Sequence, residues 1–192
     1  TVYATQDGLG LPDRDYYLSE GDKKLLAARQ AYLQHMTRLF TLQGDADAAG
    51  QAARALALET RLAQLQWSRV ESRDALKAYN RLSLAQLAEL APGLDWAAYL
   101  QAAGLAGKAE SLVVRQPSYF KGLAQLAADT PAAQWHSYFR WQVLAAYAPY
   151  LSKAAADERF AFTGTALRGV PEQEPMWRRA QGFVDGFMGE AV

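Results

Sequence analysis

Cysteine is absent from the 192 residues, which removes disulfides, thiol catalysis and cysteine-ligated zinc together. Histidine is nearly absent: His35 and His136 are the only two. A zinc-peptidase helix needs two histidines four residues apart, so that both imidazoles reach one ion, with a Glu beside the first. Neither histidine here has a second one near it, so each reads as a surface or half-buried helix residue. No sign of charge dominates either. Lys plus Arg and Asp plus Glu number 20 each, so the chain lacks the basic surplus on which nucleic-acid binding draws. The longest strongly apolar run, Val143 to Leu151, contains Pro149 and falls far short of the roughly 20 residues a membrane helix needs. No basic-then-apolar leader stands at Thr1 to Gly10, and the chain does not begin with Met, as expected of a processed or excised piece.

Motifs for chemistry are missing as well. There is no Gly-x-Ser-x-Gly elbow. Gly8 and Gly10 lack the third glycine and the strand–helix setting of a dinucleotide loop. Asp13 and Asp15 begin like a calcium loop, but no Glu closes it at the twelfth position. The expectation is a chain with no catalytic, metal or cofactor residue of its own, and with neither a nucleic-acid partner nor a membrane segment.

What is present is helical periodicity. Leu25, Leu26, Tyr32, Leu33, Met36, Leu39 and Phe40 form a stripe over Lys23–Leu42, stopped by Gly44. An Ala-rich helix follows to about Trp67, with Asp45 or Asp47 as cap and Glu59 lacking a cationic partner at helical spacing. Ser83 to Gln86 fits a capping box, and Asp95 can cap a helix through Trp96 to Gly104. Further helices are predicted from about Ser118 to Ala128, from Pro131 to Ala148 with Thr130 as cap, from Ser152 to Leu167, and from Pro175 to the chain end. Two pieces are β-prone, Val2–Thr5 and Ser111–Arg115, and can pair with each other. The fold class expected is mainly α, a single multi-helix domain over residues 1–192 with at most this two-stranded β element.

The segment from Gly8 to Tyr17 is the most heavily punctuated. Gly8 and Gly10 allow backbone angles closed to other residues, Leu11 is apolar, and Pro12 fixes φ. Asp13 and Asp15 can bond turn amides, Arg14 can reach a carboxylate, and Tyr16 and Tyr17 suit anchoring. Gly8, Gly10, Leu11, Pro12, Arg14, Asp15, Tyr16 and Tyr17 are therefore the candidate structural or interdomain motif.

Gly8-Leu9-Gly10-Leu11-Pro12-Asp13-Arg14-Asp15-Tyr16-Tyr17 resembles the Gly-Leu-x-Leu-Pro-x-Arg-Asp-Tyr-Tyr segment of neprilysin-like zinc metallopeptidases. That family includes neprilysin, endothelin-converting enzymes and bacterial oligopeptidases. Tyr79-Asn80-Arg81-Leu82-Ser83, Val113 to Phe120, Trp141-Gln142, Trp177-Arg178-Arg179 and Gly189-Glu190-Ala191-Val192 resemble further family segments, in family order. The family's His-Glu-x-x-His helix, its downstream Glu ligand and its Asn-Ala-Tyr/Phe substrate segment have no match, and the single Asn of the chain, Asn80, is followed by Arg81. The resemblance implies a non-catalytic helical cap that restricts access to a catalytic domain outside this chain. It also implies zinc in the full-length parent, peptide substrates, and an exported parent, periplasmic or in the cell envelope. A stand-alone helical interaction module is the alternative expectation, and a dispersed hydrolase site using His136 a third.

Overall fold

The structure is a computed structural model that describes residues 1–189. Its framework is three long helices: α2 (Lys23–Leu42), α3 (Ala48–Leu65) and α7 (Ala132–Leu151). Asp22 starts α2 by accepting from the amides of Lys24 and Leu25, which satisfies donors that a helix end otherwise leaves open. The expected stripe faces inward: Tyr32, Met36, Leu39 and Phe40 are all buried. α3 meets them with Ala48, Ala52 and Ala55, and α7 adds Trp141, Leu144 and Ala148. Small side chains on α3 allow close approach, so the large aromatics of α2 and α7 fill the space between the helices. The same framework includes α8 (Lys153–Phe160) and the wide π turn Ala161–Ala166, which brings Phe162 under Tyr32 and His35.

A second apolar cluster gathers Leu87, Trp96, Leu100, Leu112, Val114 and Phe120 from α4 (Leu84–Leu90), α5 (Trp96–Ala102), α6 (Pro117–Asp129) and a small sheet. Strand β1 (Tyr3–Ala4) runs parallel to β3 (Ser111–Val114), with Tyr3 opposite Val113. The expected pairing of Val2–Thr5 with Ser111–Arg115 therefore forms. The sheet is not limited to two strands, however: β2 (Asn80–Ser83) pairs antiparallel on the far side of β3. Its Asn-Arg-Leu-Ser sequence has no β-branched or aromatic residue, so the pairing is set by the neighbouring strand and leaves little local signal.

Ser83 ends β2 and opens α4 with the full reciprocal capping box, and Asp95 caps α5 through the amide of Ala98. Thr130 does not cap α7. Its hydroxyl donates back to the Leu126 carbonyl of α6, Pro131 takes the cap position, and α7 starts one residue later than expected. The helix expected over Ser152–Leu167 is capped by Ser152 but widens at Ala161 into the π turn. The last helix, α9, is Met176–Met188; Glu190, Ala191 and Val192, which complete the last family-like segment, lie outside the described residues.

Candidate functional site

The opening segment crosses the framework between β1 and α1 (Asp15–Leu18), and its backbone is bonded to several elements. The Gln6 side chain both donates to the Trp67 carbonyl and accepts from the Trp67 amide. The Asp7 carbonyl accepts from Gln66 and from the Tyr119 hydroxyl, at 3.0 and 2.9 Å. The Gly8 carbonyl accepts from the Tyr138 hydroxyl at 2.9 Å. Gly8 has φ +98°, and a Cβ there would stand 2.7 Å from that hydroxyl. At Gly10 a Cβ would fall 1.9 Å from the Tyr32 hydroxyl. Both glycines are thus required, the first by backbone angle and both by close approach.

Beneath the loop lies Glu59 of α3, fully buried. The Leu11 amide donates to the Tyr17 hydroxyl at 2.9 Å, and that hydroxyl donates to Glu59 Oε2 at 2.7 Å. The Tyr32 hydroxyl and the Gln142 side-chain amide donate to Oε1 at 3.0 and 3.2 Å. The Trp141 indole N–H donates in turn to the Tyr32 oxygen at 2.6 Å. The carboxylate joins the loop, α1, α2, α3 and α7 through neutral donors, and among the described residues it forms no ion pair. Burial pushes its pKa from 4.5 up to about 7, against the lowering effect of these donors. The same burial, with Glu59 beside them, holds the Tyr17 and Tyr32 hydroxyls far above the ordinary tyrosine range.

The candidate motif thus divides by task. Leu11 and Tyr17 are buried, and Tyr16 packs half-buried against the same core. Arg14 donates to the Gln66 carbonyl and so does not form the carboxylate pair its sequence setting allowed. Arg69 takes that role on Asp13, at 2.9 Å. Asp13 also accepts from the Asp15 amide, a turn bond that delivers Asp15 to the first turn of α1. Pro12 is exposed. Glu59 is the residue sequence reasoning missed. The available signal was its place between Ala55 and Ala63, one turn from each on the face that packs inward.

The two histidines stay apart. His35 is buried, contrary to the surface or half-buried setting expected. It stacks on Phe162 at 4.7 Å and bonds Glu158 at 3.1 Å. Burial of the ring lowers its pKa. His136 is exposed on α7. Among the described residues no group of three or more His, Asp or Glu side chains could hold a metal ion. No described helix is long and apolar enough to cross a membrane.

A family model, peptidase family M13, N-terminal part, matches residues 1–192. The chain belongs to peptidase family M13. Among solved structures, the zinc metalloprotease Zmp1 of Mycobacterium tuberculosis in its open state is 39% identical, with TM-score 0.89 over 97% of this chain and 29% of that one. Zmp1 in complex with inhibitor is 38% identical, with TM-score 0.90 and the same coverage. The rat (Rattus norvegicus) endothelin-converting enzyme-like 1 is 34% identical over 154 residues, which are 77% of this chain and 19% of that protein. The chain therefore spans less than a third of each of these relatives. M13 members are zinc peptidases, yet the donor set of the described residues does not fit zinc. His35 is committed to Glu158 and Phe162, and His136 stands alone.

Proposed function

We propose that these residues form one helical unit, the non-catalytic cap of an M13 zinc metallopeptidase. In this reading the unit walls off a catalytic domain of the same polypeptide, admits peptides and keeps larger substrates out. The zinc and the residues that hold it belong to the part of the parent outside this chain, and the parent acts outside the cytoplasm. The observation that carries the reading is the pair of matches to Zmp1, open and inhibitor-bound, at TM-scores 0.89 and 0.90. Matches that extend to a partial open state of Zmp1, at TM-score 0.82, suit a wall that keeps its fold around a site it does not build. The bonds from the opening loop to Glu59, Gln66, Tyr119 and Tyr138 supply the internal stiffness such a wall needs.

Elemental analysis and a peptide-cleavage assay on the purified chain test the division of labour. The reading expects no stoichiometric zinc and no cleavage from these residues, and zinc-dependent cleavage from the parent. Stoichiometric zinc in this chain, with cleavage abolished by a chelator, would overturn it.

A further inference from the structure

Helix α7 carries a proline in its last turn. Pro149 has no N–H, so the carbonyl four residues back, that of Ala145, is left without its helical donor. The donor arrives from another element: the Arg159 guanidinium of α8 donates to the Ala145 carbonyl. Arg159 is half-buried, and among the described residues it forms no ion pair. Burial lowers its pKa, yet a guanidinium stays protonated at any working pH. A cation is thus partly withdrawn from water to serve a single carbonyl.

The two sides of Pro149 differ in how firmly they are held. Before it, Trp141, Leu144 and Ala148 fix the stem of α7 in the main core. Beyond it stand only Tyr150 and Leu151, 52% and 49% exposed, and then Ser152, the one residue between α7 and α8. The Tyr150 ring meets Phe183 and Phe187 of α9 at 4.8 and 6.2 Å, and α9 has no buried residue of its own. α8 is anchored independently, by buried Ala155 and Ala156 and by the bond from Glu158 to His35. Arg159 therefore reaches from a fixed helix to the point at which α7 has lost a rung. A proline in a helix is where it bends, and hinges consist of a few residues at element ends.

We propose that Pro149 and Arg159 form a clasped hinge. Pro149 supplies the weak point, and Arg159 closes it by replacing the missing amide. With the clasp closed, the last turn of α7 holds Tyr150 in place for the rings of α9; with it open, that turn swings and α9 moves with it. The competing account makes Arg159 a packing residue whose stem fills space beside α7.

A four-protein cycle separates the two: wild type, Arg159→Met, Pro149→Ala and the double variant. Arg159→Met keeps an apolar stem and removes the donor, whereas Pro149→Ala returns the amide to α7. In urea, Arg159→Met should raise the unfolded-to-folded ratio about tenfold or more in the wild-type background, and far less beside Pro149→Ala. Hydrogen exchange reads the hinge itself. The Tyr150 and Leu151 amides should exchange on the order of tenfold faster in Arg159→Met and recover in the double variant. The Leu90 amide, in the last turn of α4, is the control and should not change. An equal loss of stability in both backgrounds would overturn the proposal, as would unchanged exchange at Tyr150 and Leu151. Should Arg159→Met fail to fold, a double variant that also fails would overturn it equally.

Discussion

At the scale of residues, Glu59 concentrates the physics of this molecule. A buried carboxylate without a cation disfavours its own ionisation, and its pKa rises from 4.5 to about 7. The folded state therefore holds a proton more tightly than the unfolded chain. The resulting stabilisation is complete below about pH 4.5 and is lost as pH climbs through about 7. A shift of this size corresponds to roughly 3 kcal/mol across that window. His35 acts in the opposite sense, because burial lowers its pKa and favours folding as pH rises. The wild-type profile mixes both, so the informative quantity is a difference. Glu59→Gln keeps an oxygen for Tyr32 and Gln142 and removes the titration. Chemical denaturation from pH 5 to 8 should find this variant gaining stability relative to wild type as pH rises. A constant difference across the range would refute the assignment.

At the scale of elements, legibility followed locality. The α2 stripe, the α4 capping box and the Asp95 cap are each written within a few residues, and each forms where the sequence predicts. The β1–β3 pairing was legible because both pieces are β-prone. β2 was not, because its pairing depends on β3 and its residues lack strand preference. Thr130 had the chemistry of a cap, but the Leu126 carbonyl claims its hydroxyl. The same holds at the site. The glycines and tyrosines of the opening loop announce themselves in the sequence, whereas Glu59, 42 positions beyond Tyr17, is defined by what the fold brings to it. Ser83 offers the element-scale test. Its side chain satisfies the Gln86 amide at the β2–α4 junction, so Ser83→Ala should cost about 1 kcal/mol. Urea denaturation measures this directly, and an unchanged midpoint would mean the box contributes nothing net.

At the scale of the whole molecule, the opening loop acts as a keystone. One loop bonds α3, α6 and α7 through Gln66, Tyr119 and Tyr138, and reaches the buried carboxylate through Tyr17. In the proposed reading, a cap that excludes large substrates has to resist deformation, and these bonds are where its stiffness could be altered without touching a catalytic domain. Tyr17→Phe leaves the ring in place, orphans the Leu11 amide and frees Glu59 Oε2, at a cost of about 1–3 kcal/mol that loosens the fold without destroying it. The decisive measurement is kcat/KM for a series of substrates, from short peptides to a folded protein, on the parent enzyme and its Tyr17→Phe variant. If this unit is a cap, the parent cleaves short peptides far better than the folded protein, and the variant raises the long-to-short ratio. A parent that cleaves both equally well, or a variant that changes every substrate by the same factor, would contradict it.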